Sequence, residues 1–194
     1  LDNLQIWSDV LTGSEITTIF WGGETLPIVN ASGGDYSFKV SASESQLKGF
    51  EVHYSGSDGW DEADGDSGVI VSQNTDEVKV QGIHSKYNTV AFRLDRADDA
   101  EMLYNTMHCD GSALKVGLFV HSSKNLFVEG GDYTCAEDIG IYLLYGGNHI
   151  LKNLYVQNNE VGIKVDQSTG NYFNDSYFYD NEEVGILFYG GDNN

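Results

Sequence analysis

The sequence predicts an all-β chain wound as a single-stranded parallel β-solenoid of about 22–26 residues per turn, and three observations predict it. The words NNEVGIKVD (158–166) and DNEEVGILF (180–188) both state an acidic, amide-rich corner followed by a Val-Gly-Ile strand start. They belong to a longer series: Gly117, Gly140, Gly162 and Gly185 stand 23, 22 and 23 residues apart, and Ala91 and Gly68 extend it backward at 26 and 23. Internal periodicity of this size marks a stacked coil. The third observation is compositional: 23 glycines against a single proline, Pro27, suit many tight corners between short strands.

In chain order, residues 1–35 do not keep the repeat and read as a strand-rich or capping segment, with Leu4, Ile6, Trp7 and Leu11 placed to close the core. The coil itself occupies 36–194. One residue after the anchors stand Val69, Phe92, Leu118, Ile141, Ile163 and Ile186, and three after stand Val71, Leu94, Val120, Leu143, Val165 and Phe188. Alternation with period two sends both columns to one side of a strand, and their recurrence stacks the strands in register. Met102, Val128, Leu151 and Phe173 mark a second strand eleven residues after the anchor. Met107, Tyr133, Val156 and Phe178 mark a third at sixteen. Each turn thus has three short strands and Gly, Asn or Asp corners, and successive turns pair about 4.8 Å apart.

The run GIYLLYGGNHILKNLYVQNNEVGIKVDQSTGNYFNDSYFYDNEEVGILFYGG resembles the repeats of right-handed parallel β-helix proteins, particularly the NosD-like and pectate-lyase-like superfamily. The resemblance covers about residues 36–194. It implies the right-handed coil, which is also the usual hand of parallel crossovers. Its implication for activity is broad, because the same coil carries lyases, hydrolases, epimerases, adhesins and structural surface proteins.

Cys109 and Cys135 each fall 18 residues after an anchor, so the register places them one above the other, within disulfide reach. A bond there favours an oxidising, extracellular setting; two buried free thiols are the alternative. Thirty acidic against ten basic residues give a net charge of −20, which repels nucleic acid and anionic lipid. No run is long and apolar enough for a membrane span. The chain starts at Leu1 without a basic, hydrophobic leader and stops partway through a turn, which reads as a mature piece or part of a longer chain. Asn30-Ala-Ser32 and Asn174-Asp-Ser176 are acceptor sequons compatible with secretion.

An acidic loop, residues 55–67, interrupts the coil. Asp58, Asp61, Asp64 and Asp66 are candidates to converge on calcium, although the EF-hand spacing is absent and a solvated acidic loop is the plain alternative. Trp60 in the same loop offers an indole to a sugar or a protein surface. Phe119, Tyr142, Tyr155, Tyr177 and Tyr179 occupy outward strand positions, with Tyr145 and Tyr189 near corners. Such a stripe suits glycan stacking, lateral association or ordinary cross-strand packing.

For catalysis the best local carboxylate pair is Asp98-Asp99, without the histidine-glycine and Arg-x-Lys elements of polygalacturonase-like enzymes. Arg93 and Arg96 are the only arginines, and YGGNH (145–149) resembles part of the mannuronan epimerase motif without its Asp-Pro step. With no complete catalytic set, the expected role is structural or adhesive, in an extracellular surface layer, sheath or fibre. Its partners would be itself or neighbouring surface proteins through the solenoid ends, with calcium as a possible bridge. A carbohydrate-binding module or a lyase, hydrolase or epimerase fragment is the alternative.

Overall fold

The computed structural model describes residues 26, 28–31, 35–53, 66–108 and 114–190. Strand β1 (Ile28–Asn30) precedes a first turn of β2 (Tyr36–Val40), β3 (Gln46–Lys48) and β4 (Glu51–His53). The next turn is β5 (Ser67–Val71), β6 (Lys79–Gln81) and β7 (His84–Lys86). Then come β8 (Val90–Asp95) with β9 (Glu101–His108), and β10 (Val116–His121) with β11 (Phe127–Thr134). The last turns are β12 (Ile139–Leu144), β13 (Ile150–Lys152) and β14 (Tyr155–Gln157), then β15 (Val161–Asp166), β16 (Tyr172–Asn174) and β17 (Tyr177–Tyr179), and finally β18 (Val184–Tyr189).

All pairing between turns is parallel, and the chain is a parallel β-helix. One sheet of seven strands runs β2-β5-β8-β10-β12-β15-β18, and the remaining eleven strands form the other. The register is the one the apolar columns require: Leu118 pairs with Phe92 and Ile141, which in turn pairs with Ile163. No helix of the described residues is long and apolar enough to cross a membrane. Two turns depart from the three-strand expectation. In β9 and β11 the second and third strands run on as single eight-residue strands through the corner.

Corners turn on residues in the left-handed region. Between the second and third strand positions these are Gly49, Gly82, Tyr104, Gly130, Asn153 and Asp175; after the third they include Tyr87, Cys135, Asn158 and Asp180. Asn and Asp tolerate this conformation and recur there as the sequence suggests, whereas tyrosine adopts it against its own preference because the stacked turns above and below fix the backbone. Inside the corners, amide side chains cap backbone groups of adjacent turns. Asn105 Oδ1 accepts from Ile83 N at 3.0 Å while its Nδ2 donates to Val80 O at 3.0 Å.

The interior is apolar. Val69, Phe92, Leu118, Ile141 and Ile163 share it with Met102, Val128 and Leu151 and with Met107, Tyr133 and Val156. Tyr133 is fully buried and its hydroxyl has no hydrogen-bond partner. A buried hydroxyl without a bond costs about 1–3 kcal/mol, so Tyr133→Phe is expected to raise stability, by about 1 kcal/mol, read as a higher urea midpoint at unchanged slope.

A second buried apolar cluster lies on the outer side of the seven-stranded sheet: Val90, Val116, Phe119, Ile139, Tyr142, Leu144 and Val161. Phe119 and Tyr142 were expected in an exposed stripe, yet they are 0% and 1% exposed. They pack on each other at 5.3 Å, with the Arg93 guanidinium 5.0 Å from the Phe119 ring and Lys164 Nζ 4.5 Å from the Tyr142 ring. Arg93 does point outward, but it is buried. The outward aromatics therefore divide between two sheets and do not form one stripe.

Candidate binding face

Four exposed tyrosines, Tyr155, Tyr172, Tyr177 and Tyr179, gather on the outer face of the eleven-stranded sheet, in its last turns. Parallel register aligns Phe127, Ile150 and Tyr172 in one column and Asp132, Tyr155 and Tyr177 in another. Thr134, Gln157 and Tyr179 form a third. Ile150, Tyr155, Tyr172, Tyr177 and Tyr179 are between 43% and 59% exposed, which decides that this face meets solvent. The Tyr155 and Tyr177 rings stack at 5.2 Å and 8°, because residues paired in a parallel ladder stand one strand spacing apart. The stacked pair keeps one outer face at each end, and its ring edges and hydroxyls stand out from the sheet among the other exposed side chains.

Polar groups border the stacked pair. Lys152 Nζ lies 3.2 Å from Glu129 Oε1 and 4.9 Å from the Phe127 ring centroid, so this lysine is engaged twice. Asp132 has a buried Oδ1 without a hydrogen-bond partner. Burial raises its carboxyl above the usual range, with a hydrogen bond from Thr134 and the nearby His108 acting against that rise. Farther along the same strip, Glu51 Oε1 lies 2.6 Å from His53 Nε2 and 3.1 Å from Lys86 Nζ. That acid is neutralised where it stands.

The remaining sequence candidates fall elsewhere. Asp58, Trp60, Asp61, Asp64 and Cys109 lie outside the described residues; Asp66 is half-buried just before β5. Asp98 and Asp99 are corner ties: Asp98 Oδ1 accepts from Lys124 N at 2.8 Å, and Asp99 Oδ1 accepts from Asn125 Nδ2 at 3.0 Å. Asn30 and Asn174 are exposed, and Asn174 Nδ2 donates to Asp175 Oδ2 at 2.7 Å. Tyr145 is exposed at a corner of the other sheet, its ring 6.0 Å from His121.

YGGNH is a corner as well. Tyr145, Gly146, Gly147 and Asn148 all have positive φ, which turns His149 into the interior, where it is fully buried. Its Nδ1 accepts from Leu126 N at 3.2 Å, leaving Nε2 to carry the proton without a partner. Burial lowers its pKa to about 4. The fold thus favours the neutral ring, and this contribution is whole above the ordinary histidine range and lost as pH falls from about 6.5 toward 4. Between about pH 7 and pH 4.5 the wild type should lose about 2 kcal/mol more stability than His149→Asn, measured by urea denaturation at each pH.

Tyr172, Ile150 and Asp132 were not singled out from sequence. The signal was present one residue away: they flank the inward columns of Phe173, Leu151 and Tyr133, and period two places them outside.

A family model described as periplasmic copper-binding protein (NosD) matches residues 29–194. The chain belongs to the NosD family. No curated protein matches this NosD-family chain by sequence. Among solved structures it is similar to the periplasmic alginate epimerase AlgG, at 13% identity and a TM-score of 0.61, over 83% of this chain and 38% of that one. It is also similar to the enzymatically active domain of tailspike protein 2 of bacteriophage CBA120, at 14% identity and a TM-score of 0.52, over 83% of this chain and 34% of that one. The NosD-family chain therefore spans little more than a third of either structure, and the likeness is one of fold.

The family description names copper. Among the described residues, no group of three or more His, Cys, Asp or Glu side chains converges as a metal site. The soft donors Met102 and Met107 are packed in the apolar interior, and His149 is committed to a backbone bond. The described residues do not fit a copper centre.

Proposed function

We propose that this NosD-family chain acts outside the cytoplasm as a non-catalytic, adhesive β-helix that holds polysaccharide on the tyrosine face of its eleven-stranded sheet. The observation that carries this reading is the stacked Tyr155–Tyr177 pair with Tyr172, Tyr179 and Ile150 exposed around it. A sugar ring presents an apolar C–H face, and the outer face of an exposed tyrosine ring buries that face while the hydroxyls stay at the rim. A soluble face with no partner would place polar residues at these positions. The periplasmic family description supports an extracytoplasmic site. Neither Asp98 nor Asp99 offers a free carboxylate pair, which supports a binding role over hydrolysis.

The test is retention on immobilised or gel-embedded polysaccharides. Tyr155→Ala/Tyr177→Ala is expected to weaken retention about tenfold or more while leaving the circular dichroism spectrum unchanged. Unchanged retention in that variant would remove the face from the account. Self-association through the same face is a second reading, favoured by the apolar Ile150 beside Tyr172, and sedimentation at rising concentration separates the two.

We also propose a Cys109–Cys135 disulfide and calcium at the acidic loop. The Cys109–Cys135 bond is supported by the place of Cys135 at a stacked left-handed corner and by the absence of a free cysteine among the described residues; a mass shift on reduction and alkylation checks it. Calcium at the acidic loop would be read as a chelator-sensitive change in assembly.

A further inference from the structure

The face that stacks tyrosines also carries a charge pattern. Strands β11, β13, β14, β16 and β17 bear two carboxylates, Glu129 and Asp132, and one cation, Lys152. That cation is held by Glu129 at 3.2 Å and lies against the Phe127 ring, so its charge is balanced in place. Asp132 is the register partner of Tyr155 and stands at one end of the stacked pair. Asp175 and Asp180, both exposed, occupy the corners on either side of Tyr177 and Tyr179. All this sits on a chain of net charge −20.

We infer that the ligand of this face is an uncharged polysaccharide, whose pyranose rings stack on the outer faces of Tyr155 and Tyr177 and whose hydroxyls meet Asp132 and Gln157. The inference rests on the proposed polysaccharide-binding role and adds the class of sugar. A polyuronate would bring a carboxylate on each residue past Asp132, Asp175 and Asp180 with no unengaged cation on these strands to receive it, and like charges at such range oppose binding. A hydroxyl, by contrast, donates to a carboxylate, and such charge-assisted bonds are the strong ones. Gln157, the register partner of Tyr179, adds an uncharged polar group to the same rim. The stacking term itself is indifferent to ligand charge and to salt, so affinity and selectivity come from different groups on one face.

The experiment is affinity electrophoresis of the whole chain in gels holding hydroxyethylcellulose, galactomannan or pullulan, against gels holding polygalacturonate, each at about 0.1 M and about 1 M salt. The expected result is retardation by at least one uncharged polymer that persists at high salt, is lost about tenfold in Tyr155→Ala/Tyr177→Ala, and has no counterpart with polygalacturonate. In Asp132→Lys, which removes one repelling charge and adds a receiving one, polygalacturonate should begin to retard the chain at low salt. Preferential retardation of the wild type by polygalacturonate would overturn the inference while leaving the tyrosine face standing. Retardation by none of the four polymers would overturn the binding role on which it rests.

Discussion

Gly147→Ala is expected to cost at least about 3 kcal/mol and to leave much of the chain unfolded at ambient temperature. Gly147 has φ +145°, which an L side chain rarely adopts, and a Cβ there would stand 2.0 Å from the backbone carbonyl oxygen of Thr169 in the next turn. Its own N–H donates to Ser123 O at 3.1 Å in the turn before, and its carbonyl accepts from Asn125 N at 3.0 Å. The residue is thus held by backbone on both sides, and no side-chain rearrangement relieves the clash. Gly49→Ala is the control. It too is left-handed, at φ +71°, but nothing lies within 4 Å of a Cβ there, so only the backbone preference of about 1 kcal/mol is lost. Thermal and urea melts of the two variants should differ by at least about 2 kcal/mol.

Asn159→Leu carries the second large effect, a loss of about 3 kcal/mol, because it leaves buried backbone groups without partners. Asn159 Oδ1 accepts from Ala136 N at 2.7 Å, and Nδ2 donates to Tyr133 O at 3.1 Å and to Asn181 Oδ1 at 3.1 Å. Asn181 in turn accepts from Asn159 N at 3.2 Å and donates to Val156 O at 3.1 Å. Three turns are tied through two amides, and leucine, though close in volume, satisfies none of these groups. Asn159→Asp should be nearly as damaging: a carboxylate keeps the bond from Ala136 N, cannot donate to Tyr133 O, and brings a charge into a site 1% exposed. Hydrogen exchange should show the loss first at Ala136 and its neighbours, where the protecting bond is removed.

The coil was legible because its two determinants are local and repeated. Period-two alternation set the inward columns, and the 22–26-residue recurrence set the register that pairs Leu118 with Phe92 and Ile141. The corner column of Cys135, Asn158 and Asp180 followed from the same arithmetic, and all three residues are left-handed. What the sequence concealed depends on packing. Phe119 and Tyr142 alternate as outward residues and do point outward, but whether an outward residue meets solvent is decided by what surrounds it, and these two are buried in a second cluster. His149 looked like a motif residue, and four consecutive positive-φ residues turn it into the core. Tyr104 at a left-handed corner was invisible for a related reason. Its own propensity opposes the conformation that neighbouring turns enforce. The tyrosine face was half legible: the alternation places Tyr155, Tyr177 and Tyr179 outside and Tyr172 and Ile150 as well, but that the two sets belong to one hydrogen-bonded sheet is a matter of topology.

Polysaccharide held on the outer face of the eleven-stranded sheet should leave its footprint there, and hydroxyl-radical footprinting with and without a retained polymer reads it. The chain's exposed tyrosines are distributed so that they report on both sheets. Protection confined to Tyr155, Tyr172, Tyr177 and Tyr179, with Tyr145 and Tyr189 on the other side as reactive as before, is the predicted result. Protection of Tyr145 and Tyr189 with the four tyrosines of the proposed face unchanged would contradict it.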